Sequence, residues 1–393
     1  MKTLTHILRR IWNYTWKFFL FFIIVANLYI LITGNFYLYR AVYYSIFQGQ
    51  IGPGIFDKEY FYSREINNAT AQPWPVAVNY NKHKIEKGER KSLEDLKTTS
   101  YLVFKNDTLV YEEYFDGFDQ KETSNSFSMA KSVVGLLIGI AKQEGKIKSI
   151  DDPVSDYLPN YDKGNRKKIT IRHLLTMSAD LVWNESGWNP LSHNAEAYYG
   201  TDINEMMNRV EYGDVPGKIF DYKSGSTQVL AMIITKVTGK PLTQYASEKI
   251  WQKIGAEDLA YWSLDHDKGI EKAYCCLYAT SRDYARLGKL MMHYGKWNGQ
   301  QIIDSAYVVD CITPAKLQTT DGVENKVYGL TWWINEHNGL DVFYARGIKG
   351  QYVICVPEKK LLIVRTGHKR GKKRADDTPE ELFLLIDIAL SIK

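Results

Sequence analysis

Apolar residues fall into three regimes along the chain, and the first is an unbroken block. From Phe18 to Tyr39 there is no charged residue, and as a helix this stretch would span roughly 33 Å, enough for the hydrocarbon core of a bilayer. One transmembrane helix is expected. Lys2, Arg9, Arg10 and Lys17 precede the block and only Arg40 closely follows it. The positive-inside bias therefore puts the N-terminus in the cytoplasm and the remainder outside a bacterial inner membrane, as a single-pass protein. Trp12, Trp16, Tyr37 and Tyr39 supply interfacial aromatics. A cleaved signal peptide would show a shorter apolar core and an A-x-A-like site, which is not evident after Thr33. A buried core helix would carry a polar face, which is missing.

The second regime, residues 48–98, is rich in Gly, Pro, Asn and charge, with Gly52-Pro53-Gly54 and Gln72-Pro73-Trp74-Pro75. It predicts a linker and irregular lead-in. In the third regime, residues 99–393, strand and helix periods alternate. Tyr101–Phe104 and Leu109–Phe115, separated by Lys105-Asn106-Asp107, predict a hairpin. A helix follows from about Phe127 to Glu144, apolar on most sides and ended by Gly145. Helical periods dominate from Asp151 to about Tyr294. Strands return at Tyr328–Ile334, Leu340–Ala345, Gln351–Val356 and Leu361–Thr366, closed by an amphipathic helix over Thr378–Ile392. The pattern predicts an α+β domain: an antiparallel sheet flanked by helices, with an all-α insertion at about 151–300, all preceded by a cytoplasmic stub and anchor in residues 1–47.

Composition narrows the partners. A net charge of +5 over 393 residues is too small and too local to mark a nucleic-acid binder, so none is expected. The basic run at Lys369, Arg370, Lys372, Lys373 and Arg374 is either a solvated loop or a contact for cell-wall polymer or anionic lipid. Cys275, Cys276, Cys311 and Cys355 lack C-x-x-C spacing, and the adjacent pair would be strained if joined, so no disulfide framework is expected. With no H-E-x-x-H among the eight histidines, neither a metal nor another cofactor is expected.

Three segments carry candidate chemistry. Ser128-Met129-Ala130-Lys131 is the only S-x-x-K in the chain, and it opens the long apolar helix. Residues three apart on a helix share a face, and a lysine buried near a helix N-terminus is pushed toward its neutral amine, able to take the serine proton. The plainer alternative is a first-turn serine beside a lysine whose head reaches water. Tyr222-Lys223-Ser224 lies in a Gly-containing polar loop before a second apolar helix, where a phenol can shuttle a proton or merely satisfy its own hydroxyl. Ala345-Arg346-Gly347-Ile348-Lys349-Gly350 turns between two strands, where the backbone N–H of Ile348 could join that of Ser128 as an oxyanion hole, or form an ordinary hairpin turn.

The three segments in this order resemble the serine β-lactamase and penicillin-binding-protein superfamily. The resemblance runs from about Gln48 to the C-terminus and is greatest to the class C-like branch, notably 6-aminohexanoate-dimer hydrolases and esterases. It implies Ser128 as nucleophile, Lys131 as its base and Tyr222 as acid for the leaving group. Ser224, Arg346 and Gly347 would line the substrate pocket. Asp180 would contact a substrate amine. The chain departs from the family's K-T-G or H-x-G segment by placing Ala345 at the first position, which disfavours recognition of a β-lactam carboxylate through that residue. The implied activity is hydrolysis of small amides or esters through an acyl-enzyme. The rivals are a β-lactamase or D-Ala-D-Ala peptidase, and a cell-wall-binding protein that has lost the reaction. An α/β-hydrolase is disfavoured because no G-x-S-x-G occurs.

Overall fold

The computed structural model describes residues 2–392; residues 1 and 393, the extreme ends of the expected stub and hydrolase domain, lie outside it. Helix α1 (Lys2–Thr33) includes a 26-residue span, Leu8–Thr33, long and apolar enough to cross a membrane and only 6% buried in the protein. A short helix α2 (Tyr37–Tyr44) follows. Tyr37, expected at an interface, is instead buried against the globular part, and its hydroxyl donates to the Pro190 carbonyl at 3.0 Å.

The lead-in of residues 48–98 is irregular, as its Gly and Pro content requires, but it is docked. Ile55, Phe61, Ile66, Trp74 and Leu93 are all buried. Ser63–Ile66 pairs antiparallel with Ala260–Ser263, which continues through Leu277–Ala279 to Ser124–Asn125, a small four-stranded sheet. Apolar residues spaced through a loop-like sequence thus anchor it without generating a period.

The main sheet has six strands: β1 (Thr98–Lys105), β2 (Thr108–Tyr114), β3 (Trp333–His337), β4 (Leu340–Gly347), β5 (Gln351–Val356) and β6 (Leu361–Gly367). Their order is β3-β4-β5-β6-β1-β2, antiparallel throughout. Alternation along the strands splits the core. Leu102, Val353, Cys355, Leu362 and Val364 face one apolar cluster with α3 (Met129–Gln143) and Leu287 and Leu290 of a later helix. Tyr101, Val103, Ile354, Leu361 and Ile363 face a second cluster with Leu382, Leu385, Ile386 and Ala389 of the C-terminal helix. Each such aliphatic side chain contributes about 1.5–3 kcal/mol on burial, so β5 and β6, buried along their whole length, form a stiff platform.

Helices α4 (His193–Tyr199), α5 (Ser224–Thr238) and α6 (Ser281–Met292) complete one side and α7 (Glu381–Ser391) the other. The region between α3 and α6 is mainly helical, with the short strands Ile219–Phe220, Ala260–Ser263 and Leu277–Ala279 within it. The strand expected from Tyr328 begins only at Trp333, because Thr331 takes a left-handed conformation (φ 63°) and donates its N–H to Leu175 at 3.0 Å. The cysteine expectation is corrected: Cys275 and Cys276 are joined, with S–S 2.05 Å. In an extended strand adjacent side chains point to opposite faces; here Cys276 has φ 65°, which removes that opposition.

Candidate active site

Ser128 sits where the short strand Ser124–Asn125 turns into α3. The turn is made by Phe127, a bulky residue at φ 43°, a conformation costing on the order of 1–3 kcal/mol that persists only where surroundings enforce it. Here they do: the Phe127 N–H donates to Asn125 Oδ1 at 2.8 Å, and the ring is buried. Ser128 then stands at the N-cap of α3, its side chain free of any capping bond.

Lys131, one helical turn on, is 1% exposed. Its Nζ donates to Ser128 Oγ at 2.9 Å and to the Tyr274 carbonyl at 2.8 Å. Burial lowers its pKa from 10.5 to about 8, opposed in part by the Glu185 carboxylate. The sequence expectation of a lysine biased toward its neutral form is met, and desolvation is the dominant cause. The Tyr274 carbonyl, which orients the amine, belongs to the main chain beside the Cys275–Cys276 pair, so no side-chain motif could have announced it.

Tyr222 precedes α5, its ring packed against Trp333 at 5.3 Å between centroids and edge-on to Tyr328 at 5.9 Å. Burial raises its pKa above the usual 10.0, opposed in part by the nearby Ser128 hydroxyl and by Arg346, with Glu185 adding to the rise. Lys131 Nζ lies 5.1 Å from the same ring's centroid. Ser128, Lys131 and Tyr222 are therefore one cluster.

Ser224, buried at the start of α5, donates its N–H to Glu185 Oε2 at 2.8 Å and its hydroxyl to Glu185 Oε1 at 2.6 Å. Glu185 was not singled out by sequence. It is one carboxylate in a polar loop, and its importance comes from a contact across 39 positions.

The end of β4 closes the site. A Cβ at Gly347 would lie 2.2 Å from the Ser126 carbonyl oxygen and 3.0 Å from Phe127 Cβ, so only glycine lets this strand touch the turn before Ser128. The next residue is Ile348. Neither its backbone N–H nor that of Ser128 takes part in the turn, loop and cap bonds of the described residues.

Two expected pocket residues are otherwise engaged. Arg346 lies over the Trp333 ring, 3.3 Å from its centroid, and is bound to the Asp377 carbonyl at 2.7 Å and to the Asp377 carboxylate. It is held in place rather than left free to take the role of a K-T-G lysine. Asp180 has partners within the protein: its carboxylate accepts the Val215 N–H at 3.1 Å and its carbonyl accepts the Gly213 N–H at 2.7 Å. At φ 53° it pins the loop of residues 213–215, the usual work of an Asx residue in a turn.

The sequence profile named Beta-lactamase matches residues 89–385. The 6-aminohexanoate-dimer hydrolase of Paenarthrobacter ureafaciens is 26% identical over 292 residues, spanning 70% of this chain and 73% of that protein. Among solved structures, a Bacillus anthracis protein provisionally assigned as a 6-aminohexanoate-dimer hydrolase superposes with a TM-score of 0.73 at 28% identity, over 85% of this chain and 92% of that one. A family VIII carboxylesterase, at 16% identity and a TM-score of 0.63 over 82% and 99% of the two chains, shares the fold.

Proposed function

The chain belongs to the beta-lactamase family, whose relatives here include amide and ester hydrolases, and on that premise we propose that it is a membrane-anchored serine hydrolase of small amides or esters working through an acyl-enzyme on Ser128. The observation that carries the reading is a fully buried lysine, lowered to about 8, in direct contact with a serine hydroxyl. Neutral Lys131 takes the Ser128 proton as Oγ attacks the substrate carbonyl. The oxygen that becomes negative is received by the N–H groups of Ser128 and Ile348. Tyr222, still protonated at neutral pH, gives its proton to the departing amine or alkoxide and is reprotonated by the Lys131 ammonium. Water then attacks the acyl-enzyme and passes its proton back through the same pair, releasing the acid and restoring Ser128.

Amide hydrolysis of the 6-aminohexanoate-dimer type is favoured over β-lactam or D-Ala-D-Ala cleavage. Arg346, the cation next to the position of the K-T-G lysine, is committed to Asp377 and Trp333, leaving a substrate carboxylate without that partner. Ser224, Gly347 and the Trp333 wall would bound the acyl side. The anchor reading rests on the Leu8–Thr33 span, with the charge bias putting the catalytic part on the outer face. The test is a panel of p-nitrophenyl esters, linear ω-amino amides, nitrocefin and a D-Ala-D-Ala peptide, run with wild type and Ser128→Ala. Ester or amide turnover lost in the variant is expected; equal turnover in both proteins would overturn the reading.

A further inference from the structure

Between the catalytic cluster and the membrane-length helix runs a short chain of contacts. Glu185, which holds Ser224, opens a loop that ends at Ser192, and five residues after Glu185 the Pro190 carbonyl receives the Tyr37 hydroxyl. Tyr37 lies four residues past the end of α1, no more than about 14 Å of chain. The span Leu8–Thr33 would rise ~39 Å as a helix against a hydrocarbon core of about 30 Å, so its last turns would reach headgroup depth. The loop is thereby tethered beside the bilayer.

Its surface suits that place. Trp188 is 86% exposed and Leu191 49%, with Val182 at 53% just before the loop. The Trp188 exposure is not slack chain. Ser186 Oγ accepts the N–H groups of Trp188 and Asn189, Ser192 Oγ donates to the Ser186 carbonyl at 2.8 Å, and Asn194 Nδ2 donates to the Glu185 carbonyl at 2.9 Å. An ordered loop is thus presenting an indole to solvent, against the usual burial of Trp. The neighbouring α2 does the same on one side: Tyr37 is buried toward the protein, whereas Tyr39, Val42 and Tyr43 are exposed. Tryptophan and tyrosine at the end of a membrane span are the residues that settle among headgroups.

We propose that the loop of residues 184–192 rests on the outer leaflet, with Trp188 and Leu191 at headgroup level, so that the catalytic cluster receives its substrate from the bilayer surface. The substrate class is an amphiphile lodged in the leaflet whose ester or amide carbonyl stands at headgroup depth. This rests on the anchored-hydrolase reading and adds the source of the substrate. A loop that is part of the membrane contact and also bonded to Ser224 links the lipid surface to the pocket wall through a few residues.

The test uses the full chain reconstituted in vesicles of equimolar phosphatidylethanolamine and phosphatidylglycerol. Brominated phospholipid should quench wild type more than Trp188→Phe, the difference being the emission of Trp188. Turnover is then measured on a fluorogenic acyl ester embedded in the vesicles and on dissolved p-nitrophenyl acetate. The pair Trp188→Ser, Leu191→Ser should lower the embedded-to-dissolved ratio at least about five-fold. Equal quenching in wild type and Trp188→Phe, or an unchanged ratio in an active enzyme, would overturn the bilayer proposal alone, and would leave protein docking as the use of the exposed indole. A wild type inactive on both esters would overturn the hydrolase reading beneath it.

Discussion

Glu185 receives both polar groups of Ser224, the N–H at 2.8 Å and the hydroxyl at 2.6 Å, and by charge alone it raises the pKa of Lys131 and of Tyr222. One carboxylate therefore both fixes the pocket wall and raises the proton affinity of the two groups at Ser128, on top of the larger effect of their burial. Glu185→Gln keeps the shape and removes the charge. Lys131 should then lose its proton at lower pH, so the midpoint of the rising limb of kcat/KM shifts to lower pH. Loss of a charge-assisted acceptor for Ser224 should cost about 1 kcal/mol of stability, read from denaturant midpoints. An unmoved midpoint would show that Glu185 is only structural.

Lys131 itself limits the reaction on the acid side. The neutral amine is the competent form, and with a pKa of about 8 most molecules at pH 7 carry the inactive ammonium. Rates on an ester should climb through pH 7 and reach half-maximum near pH 8. The unfolded lysine binds its proton up to 10.5, so between these values the unfolded chain holds more protons than the native one. Burial of this group therefore costs stability in full below about pH 8, and the cost fades as pH rises through 10.5. Lys131→Arg, which cannot deprotonate, should lower kcat/KM by roughly 10³-fold on the alkaline plateau and abolish the rising limb.

Tyr222 retains its proton across the neutral range because burial raises its pKa. Its removal should hurt in proportion to the basicity of the leaving group. Tyr222→Phe is expected to lower amide turnover by about 10²–10⁴-fold and p-nitrophenyl ester turnover much less. Equal losses on both substrates would point to a packing role against Trp333 instead.

Gly347→Ala would put a methyl 2.2 Å from the Ser126 oxygen. Main chain on both sides gives way poorly, so a destabilisation of about 1–3 kcal/mol is expected, with a fall in kcat as β4 retreats from the turn before Ser128. Thermal melts and burst kinetics on one preparation would separate the two effects.

Local signals made part of this legible. The S-x-x-K spacing and the apolar helix behind it located Ser128 and Lys131, because a helix brings residues three apart together whatever the rest of the chain does. The hairpin and late strands were legible as short β-rich apolar runs separated by turn residues. Hidden features depend on chain closure: Glu185 against Ser224, Arg346 against Asp377, the Tyr274 carbonyl under Lys131, and the docking of residues 48–98. The backbone contacts of Asp180 with Val215 and Gly213 were equally hidden, because an aspartate pinning a turn and one awaiting a ligand look the same in sequence. The joined Cys275 and Cys276 were concealed by a left-handed residue that no cysteine pattern signals.

The most direct test asks where the acyl-enzyme forms. After reaction with a fluorophosphonate, tryptic mapping should find one adduct on the peptide of residues 122–131, assigned by fragmentation to Ser128 and not to Ser124 or Ser126, with rapid labelling at pH 8 and none in Ser128→Ala. No adduct on that peptide, or one on another residue that accounts for the activity, would contradict the account.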